Sequence, residues 1–188
     1  MKNPFVLVAV ALILVLGCRK NNSGESCFSN NGARSIVQDG LNREYVLYIP
    51  SSYDGSAAAP LMLNFHGFGG SASEYMEDAD LRSLAESDTF ILAYPQGSCL
   101  NGSSHWNACP IGGDNKSSAD DFGFVEAMIN DISAEAMVDM ERIYAFGYSI
   151  GGMMAYGLAN YRSDLVSAVG SVSGTMLDCA GTISHPMP

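Results

Sequence analysis

Gly147-Tyr148-Ser149-Ile150-Gly151 is the stretch of sequence that decides the fold. It follows RIYAFG at 142–147, a segment typical of a buried strand, and it precedes a helical pattern over 150–160. A G-x-S-x-G sequence at a strand-to-helix junction predicts a tight turn that holds the serine hydroxyl clear at the carboxyl end of a sheet. Since chance would seldom place the motif at such a junction, Ser149 is predicted to be a nucleophile, and the Ile150 N–H is predicted to face a developing oxyanion.

A second glycine-rich segment, FHGFGG at 65–70, follows an apolar run over 61–65 that is typical of a buried strand. In folds that carry such a serine turn, an HG-rich loop at this place supplies the second oxyanion donor. We therefore expect the N–H of Phe68, with Gly67 next in line, to act with that of Ile150. The alternative is a glycine-rich turn without a ligand. His66 is predicted to steady the loop rather than to act as a base.

The rest of the chain alternates between strand and helix patterns, which predicts an α/β fold. The sheet should be mainly parallel, with helices on both faces, and it should begin with an antiparallel hairpin. A long polar segment over 95–119 interrupts the pattern. Besides the segments already named, we predict strands over 35–38, 43–49, 90–94 and 166–171, and helices over 73–86 and 121–137.

Three aromatic or imidazole side chains are candidate substrate-binding residues. His105 and Trp106 stand together in the long polar segment, and Tyr148 precedes the candidate nucleophile. An aromatic ring can stack on an aromatic or sugar group of a ligand. Ordinary packing in the core is the equally open alternative for Trp106.

Composition limits the classes of function. The chain has 188 residues, of which 47% are hydrophobic and 15% charged, and its formal net charge is −11. This is a globular composition without a basic stripe, so it excludes nucleic acid as a partner. The cysteine spacings do not resemble a zinc site, and we expect neither a metal nor an organic cofactor.

The amino terminus predicts export. Lys2 precedes an apolar run over 5–16 that is too short to span a bilayer, and the run ends in VLGC at 15–18. We interpret 1–17 as a signal peptide, Cys18 as a lipidated residue and 18–34 as a tether, which would make the lipid anchor the only membrane contact. An ordinary secretory signal is the alternative, so the protein is either a bacterial lipoprotein of the cell envelope or secreted.

Four cysteines remain besides Cys18, an even number that suggests two disulfides in an oxidising compartment. Because Cys99 and Cys109 flank one polar loop, we favour that pair, although the spacing allows three connectivities. Free buried thiols are the alternative.

Several motifs in order resemble one family. They are PLMLNFHGFGG at 60–70, ILAYPQG at 91–97, WN at 106–107, DDFGFVEAMINDI at 120–132, the segment RIYAFGYSIGGMMAYGLA at 142–159, and SAVGSVSG at 167–174. Together they resemble secreted polyhydroxybutyrate depolymerase-like and feruloyl esterase-like enzymes over roughly 35–188. The resemblance implies an α/β-hydrolase fold with Ser149 as nucleophile and an oxyanion donor at Phe68 or its neighbours. It also implies carboxylic ester substrates of plant polysaccharides or polyhydroxyalkanoates.

One feature departs from that family. The fold orders its triad as serine, acid, histidine, with the acid and the base after successive strands. Asp178 and His185 lie too close together in the chain for those places. We therefore expect 35–188 to be a partial domain that lacks its C-terminal strands and helices, with acid and base beyond 188 and with almost no activity on its own. The alternatives are another serine hydrolase, such as a lipase or peptidase, and a lipid-anchored binding protein on a degenerate hydrolase scaffold.

Overall fold

Eight strands and four helices make up the described part of the chain, which comprises residue 27 and residues 30–179 of a computed structural model. The predicted alternation of strands and helices is confirmed, with shifts of a few residues at the ends. In chain order the elements are β1 (Arg34–Gln38), β2 (Leu41–Tyr48), β3 (Ala59–Phe65), α1 (Ala72–Asp78), α2 (Arg82–Asp88), β4 (Ile91–Pro95), β5 (Ser98–Leu100), β6 (Ser103–His105), α3 (Asp121–Ser133), β7 (Val138–Tyr148), α4 (Ile150–Tyr161) and β8 (Ala168–Val172).

Six of the strands form one mixed sheet in the order β1-β2-β4-β3-β7-β8. The central strand β3 pairs in parallel with β4 on one side and with β7 on the other, and β7 pairs in parallel with β8. Strands β1 and β2 form an antiparallel hairpin, and β2 continues antiparallel to β4. The sheet is therefore mainly parallel and begins with a hairpin, as predicted.

The two faces of the sheet bury separate apolar clusters. Along β3, Leu61 and Leu63 join the cluster that contains residues of α3 and α4, whereas Met62 packs with the cluster that contains Ala72 of α1 and Ala85 of α2. Successive side chains of a strand point to opposite faces. Helices therefore cover both faces, which confirms the predicted layers.

A single helix over 73–86 was predicted where the structure has two short ones. Helix α1 begins after Ser71, whose side chain accepts a hydrogen bond from the Glu74 N–H, and it ends at Asp78. The hydroxyl of Tyr94, which projects from β4, donates to the carbonyl of Ala79 at 2.9 Å. A tertiary contact thus holds the chain at the break, and helical periodicity carries no sign of it.

Two disulfides join distant parts of the chain. Cys27 bonds to Cys99, and Cys109 bonds to Cys179, over sequence separations of 72 and 70 residues. The prediction of a Cys99–Cys109 pair is wrong. Cys99 lies on the β5–β6 hairpin, whereas the segment just before Cys109 packs against α4: a Cβ on Gly157 would lie 2.5 Å from the carbonyl oxygen of Ala108. The long polar segment therefore holds its two cysteines at different places on the domain.

The folded domain begins earlier than predicted. Asn30 is buried, and its side chain donates to Glu44 and Gln96 while accepting from Ser73. Residues 30–34, assigned above to the tether, therefore belong to the domain. The predicted signal peptide and Cys18 lie outside the described residues. None of the helices in the described ranges is long and apolar enough to cross a bilayer.

The disulfides provide a stability prediction. Replacing both Cys27 and Cys99 by serine should lower the free energy of unfolding by about 2–5 kcal/mol, because the cross-link restricts a long loop of the unfolded chain. Urea denaturation under non-reducing conditions measures the change. The Cys109–Cys179 disulfide closes a loop of nearly the same length. The Cys109→Ser/Cys179→Ser variant should therefore lose a similar amount of unfolding free energy. A wild-type midpoint for both double variants would contradict the prediction.

Candidate active site

Ser149 occupies a strained turn between β7 and α4. Its φ of 54° and ψ of −120° lie in a region that residues with a side chain rarely adopt. Its backbone N–H donates to the Val172 carbonyl of β8 at 2.8 Å, which ties the turn to the neighbouring strand. Although Ser149 stands at the N-cap of α4, its side chain makes no capping hydrogen bond. Among the described residues the hydroxyl has no hydrogen-bond partner.

Glycine is required on both sides of this serine. A Cβ on Gly147 would lie 2.1 Å from the Gly151 carbonyl oxygen, and a Cβ on Gly151 would lie 2.2 Å from the Phe65 carbonyl oxygen. Neither approach leaves room for a methyl group, and backbone atoms cannot easily yield. The turn is thus pressed against the end of β3, where the second glycine-rich loop begins.

That loop, residues 66–70, lies beside the serine. A Cβ on Gly67 would be 3.6 Å from the Cβ of Ser149. The Gly70 N–H donates to the Gly67 carbonyl at 3.1 Å and closes a turn around Phe68. The N–H groups of Phe68 and Ile150 donate to no backbone carbonyl of the described residues. The structure therefore brings Ser149 and the expected oxyanion donors together, with both amides available.

Both ring nitrogens of His66 are engaged by backbone groups. Its side chain is buried, Nδ1 lies 2.7 Å from the Gly67 carbonyl oxygen, and Nε2 accepts from the Gly97 N–H at 3.0 Å. These partners require a neutral ring with the proton on Nδ1. Burial lowers the pKa of His66 to about 4, which keeps the ring neutral at physiological pH. His66 therefore steadies the loop, as expected, and it is not placed to activate Ser149.

The lowered pKa of His66 predicts a loss of stability in acid. An imidazole with a pKa near 6.5 when unfolded and about 4 when folded contributes fully above pH 6.5, and its contribution is lost as the pH falls toward 4. This group should cost about 2.5 kcal/mol of unfolding free energy between about pH 7.5 and about pH 4.5. Urea denaturation of the wild type and of His66→Gln at both pH values isolates the contribution of His66 to the unfolding free energy. Equal acid losses in the two proteins would contradict the assignment.

Trp106 and His105 lie beneath the loop and do not line a cleft. Trp106 is 1% exposed, its Nε1–H donates to the His66 carbonyl at 3.0 Å, and its ring meets Phe65 edge-on at 5.2 Å. His105 is 0% exposed, and its Nε2 lies 2.9 Å from the Ser117 hydroxyl. The prediction that these two residues contact substrate is wrong. An indole gains more from burial when its single N–H finds a carbonyl, as it does here.

Exposed apolar side chains lie on the segments next to Ser149 instead. Phe68, Tyr148 and Val172 are 61%, 49% and 46% exposed. Val172 lies opposite Tyr148 in the β7–β8 ladder, and the Tyr148 ring is 3.0 Å from the Cβ position of Gly67. Tyr148 was expected from its place in the motif, whereas Val172 was missed because only strand pairing brings it here. These side chains are accessible to an apolar or aromatic group at the nucleophile.

A buried polar network orders the segment that follows Trp106. Arg43 of β2 pairs with Asp121 at 2.6 Å, and both side chains are buried. The other oxygen of Asp121 accepts from the Asn107 N–H at 2.7 Å, and the Asn107 amide donates to the Ala119 carbonyl at 2.8 Å. Sequence reasoning missed this network, since nothing in the chain marks Arg43 and Asp121 as partners. It holds the segment that supplies Trp106.

The described residues offer no acid–base pair beside Ser149. His66 and His105 are buried and engaged elsewhere, Asp178 is exposed, and His185 lies outside the described residues. Within those residues no group of three His, Cys, Asp or Glu side chains could hold a metal ion. A cavity of about 740 Å³ borders Tyr161 at the far end of α4, about 18 Å along the helix from Ser149. It therefore belongs to a different part of the surface.

Comparison with known proteins gives the following likenesses. The chain is 33% identical over 142 residues to feruloyl esterase B of Piromyces equi, covering 75% of this chain and 25% of that protein. It is 31% identical over 148 residues to feruloyl esterase B of Thermothelomyces thermophilus, covering 78% of this chain and 49% of that protein. The chain thus spans between a quarter and a half of the length of these two relatives.

Solved structures agree on the fold. An acetyl xylan esterase from Aspergillus awamori superposes with a TM-score of 0.58 at 18% identity, covering 78% of this chain and 57% of that one. The family model described as the alpha/beta hydrolase fold matches residues 60–187, which include both glycine-rich loops and all of α4. The predicted fold class is therefore confirmed, and the chain belongs to the α/β-hydrolase family.

Proposed function

We propose that the protein hydrolyses carboxylic esters, with Ser149 as the nucleophile. The observation that carries the proposal is the strained serine at φ 54°, whose hydroxyl is free and which lies beside a loop with an available amide. Backbone strain at a single non-glycine residue is tolerated where it aims a reactive group. The relatives named feruloyl esterase and the acetyl xylan esterase fold neighbour support the same class of reaction.

The reaction would proceed through an acyl-enzyme. Ser149 Oγ attacks the ester carbonyl carbon and loses its proton to a base, and the carbonyl oxygen becomes an oxyanion. The N–H groups of Phe68 and Ile150 would hold that oxyanion, and the positive end of α4 lies behind Ile150. The alcohol leaves with a proton, and water then releases the acid. Neither His66 nor His105 takes the role of base, because both are buried and bound to other groups.

The substrate class we propose is an ester carried by a polysaccharide, with a feruloyl or acetyl acyl group, or a polyhydroxyalkanoate. The exposed rings of Phe68 and Tyr148 beside Ser149 suit a planar acyl group, since aromatic rings stack with offset or edge-on contacts. The names of the two feruloyl esterase relatives support the feruloyl part of this range. No cofactor takes part in this mechanism.

Covalent labelling tests the nucleophile. A fluorophosphonate probe applied to the complete gene product should modify Ser149, identified by mass spectrometry of the tryptic peptides. Heat-unfolded protein is the control, because labelling depends on the folded oxyanion site. A folded protein that remains unlabelled would defeat the enzymatic proposal in favour of a binding role on the same scaffold.

A substrate panel tests the reaction class. Methyl ferulate, p-nitrophenyl acetate and a polyhydroxybutyrate film should be compared with an acyl-peptide amide. We expect hydrolysis of at least one ester and no cleavage of the amide. Cleavage of the amide alone would assign the protein to the peptidases.

Export and lipid attachment at Cys18 are proposed as well. The two disulfides of the domain suit an oxidising compartment. Metabolic labelling with a radioactive fatty acid should mark the wild-type protein and leave Cys18→Ser unmarked. Equal release of both proteins into the medium would contradict the anchor.

A further inference from the structure

We propose that Ser104 is a positioning residue for the reaction, because it holds the loop of residues 66–70 at the place where the Phe68 amide can meet the oxyanion. Ser104 does not touch the substrate. The inference rests on the proposed ester hydrolysis at Ser149, and it adds a residue on β6 that affects the rate of that reaction.

Ser104 forms hydrogen bonds to the loop with both its side chain and its backbone. It lies on β6, where it is 0% exposed. Its hydroxyl donates to the Gly70 carbonyl at 2.5 Å, and its own carbonyl accepts from the Gly69 N–H at 2.9 Å. The bonds therefore fix the two residues that follow Phe68 in the chain.

The loop needs such support because glycine makes it flexible. Gly67, Gly69 and Gly70 surround Phe68, and Gly69 adopts a φ of 73°. Glycine has a wide choice of backbone conformations, so a turn rich in glycine holds its shape only when other groups restrain it. An oxyanion donor must lie about 2.7–3.1 Å from the oxygen, and a misplacement of about 1 Å can cost about a hundredfold in rate.

No other side chain replaces the hydroxyl at full strength. The Gln96 side chain also reaches the Gly70 carbonyl, but at 3.4 Å, beyond the usual range for a strong bond. His66 supports the start of the loop through Gly67, and not its end. The second half of the turn therefore depends mainly on Ser104.

The hairpin that carries Ser104 is itself rigidly held. Cys99 lies directly opposite Ser104 in the β5–β6 ladder and is tied to Cys27 by a disulfide. Trp106, two residues after Ser104, bonds to the His66 carbonyl from below. Ser104 thus connects a covalently anchored strand to a loop that would otherwise be mobile.

The test compares two neighbouring serines in the complete gene product. Ser104→Ala should lower the rate constant of fluorophosphonate labelling about tenfold, a part of the full effect of losing one oxyanion donor. In ester hydrolysis kcat should fall by a similar factor, while KM changes less than twofold. Ser103→Ala is the matched control, because Ser103 lies on the same strand and its hydroxyl makes no hydrogen bond within the described residues. It should label at the wild-type rate.

A second pair of variants separates the effect of losing the hydroxyl from the effect of a folding defect. Ser104→Thr and Ser104→Val have nearly the same shape and differ in the hydroxyl, so steric strain affects both alike. The threonine protein should label about tenfold faster than the valine protein at equal thermal midpoints. Equal rates for the two would overturn the role of Ser104, as would equal rates for Ser104→Ala and Ser103→Ala. A wild-type protein that does not label at all would instead overturn the proposed function from which this role follows.

Discussion

Ser149→Ala is expected to lower kcat for ester hydrolysis by about 10⁴-fold or more in the complete gene product, with KM nearly unchanged. The hydroxyl is the proposed nucleophile, and alanine retains the backbone amides that are proposed to hold the oxyanion. Without the nucleophile, only the oxyanion site and substrate binding remain, and they supply a small residual rate over water. The measurement is steady-state hydrolysis of p-nitrophenyl acetate with calorimetry as a check on folding.

A second serine provides the control for this loss. Ser118 is exposed in the segment after Trp106, and its hydroxyl makes no hydrogen bond within the described residues. Ser118→Ala should therefore keep wild-type activity. If Ser149→Ala retains more than about a tenth of the wild-type kcat, another group must be the nucleophile. The strained φ of 54° at Ser149 would then need a different explanation.

The largest expected effect on stability comes from Asp121→Asn. This change removes the negative partner of Arg43, whose side chain is 3% exposed and cannot regain water. Breaking a buried ion pair from one side costs about 3–5 kcal/mol, because the remaining charge stays buried with no opposite charge beside it. Within the described residues Arg43 keeps only the Gln96 carbonyl at 3.4 Å and the face of the Phe124 ring. The other carboxylate oxygen of Asp121 accepts from the Asn107 N–H, so the segment that carries Trp106 should loosen as well. Urea denaturation measures the loss of unfolding free energy.

The neighbouring aspartate gives a matched control. Asp120 caps α3 by accepting from the Gly123 N–H at 2.9 Å. Because asparagine caps a helix about as well as aspartate, Asp120→Asn should leave stability nearly unchanged. Combining Arg43→Met with Asp121→Asn should recover part of the loss, since no unpaired charge then remains. Equal losses for the two aspartate variants would show that the Arg43–Asp121 pair contributes nothing.

Local sequence was sufficient for the features that depend on neighbours in the chain. The turn at Ser149 could be predicted because both flanking glycines and the change from strand to helix lie within a few residues of it. The same holds for the loop at Phe68 and for the alternation of strands and helices, which is set by apolar periodicity. A mainly parallel sheet with helices on both faces then follows from that alternation.

Features that join distant residues could not be predicted in this way. The disulfides pair cysteines 72 and 70 residues apart, and the more local pairing of Cys99 with Cys109 failed. At the break between α1 and α2 a hydroxyl from β4 bonds to the chain, and the buried pair of Arg43 and Asp121 joins β2 to α3. Nothing in local propensity encodes such contacts.

The sequence by itself determined that a serine stands at a glycine-flanked turn and that a glycine-rich loop follows an earlier strand. It also determined the α/β class, because a strand or a helix is chosen by residues close to one another. Only the tertiary structure decided which side chains lie near that serine. Trp106 and His105 are buried, whereas the side chains of Phe68, Tyr148 and Val172 are exposed. Ser104 bonds to the glycine-rich loop. The physical reason is that burial and hydrogen bonding between distant segments are settled when the layers pack, and most buried polar groups then take the partners that the packed fold provides.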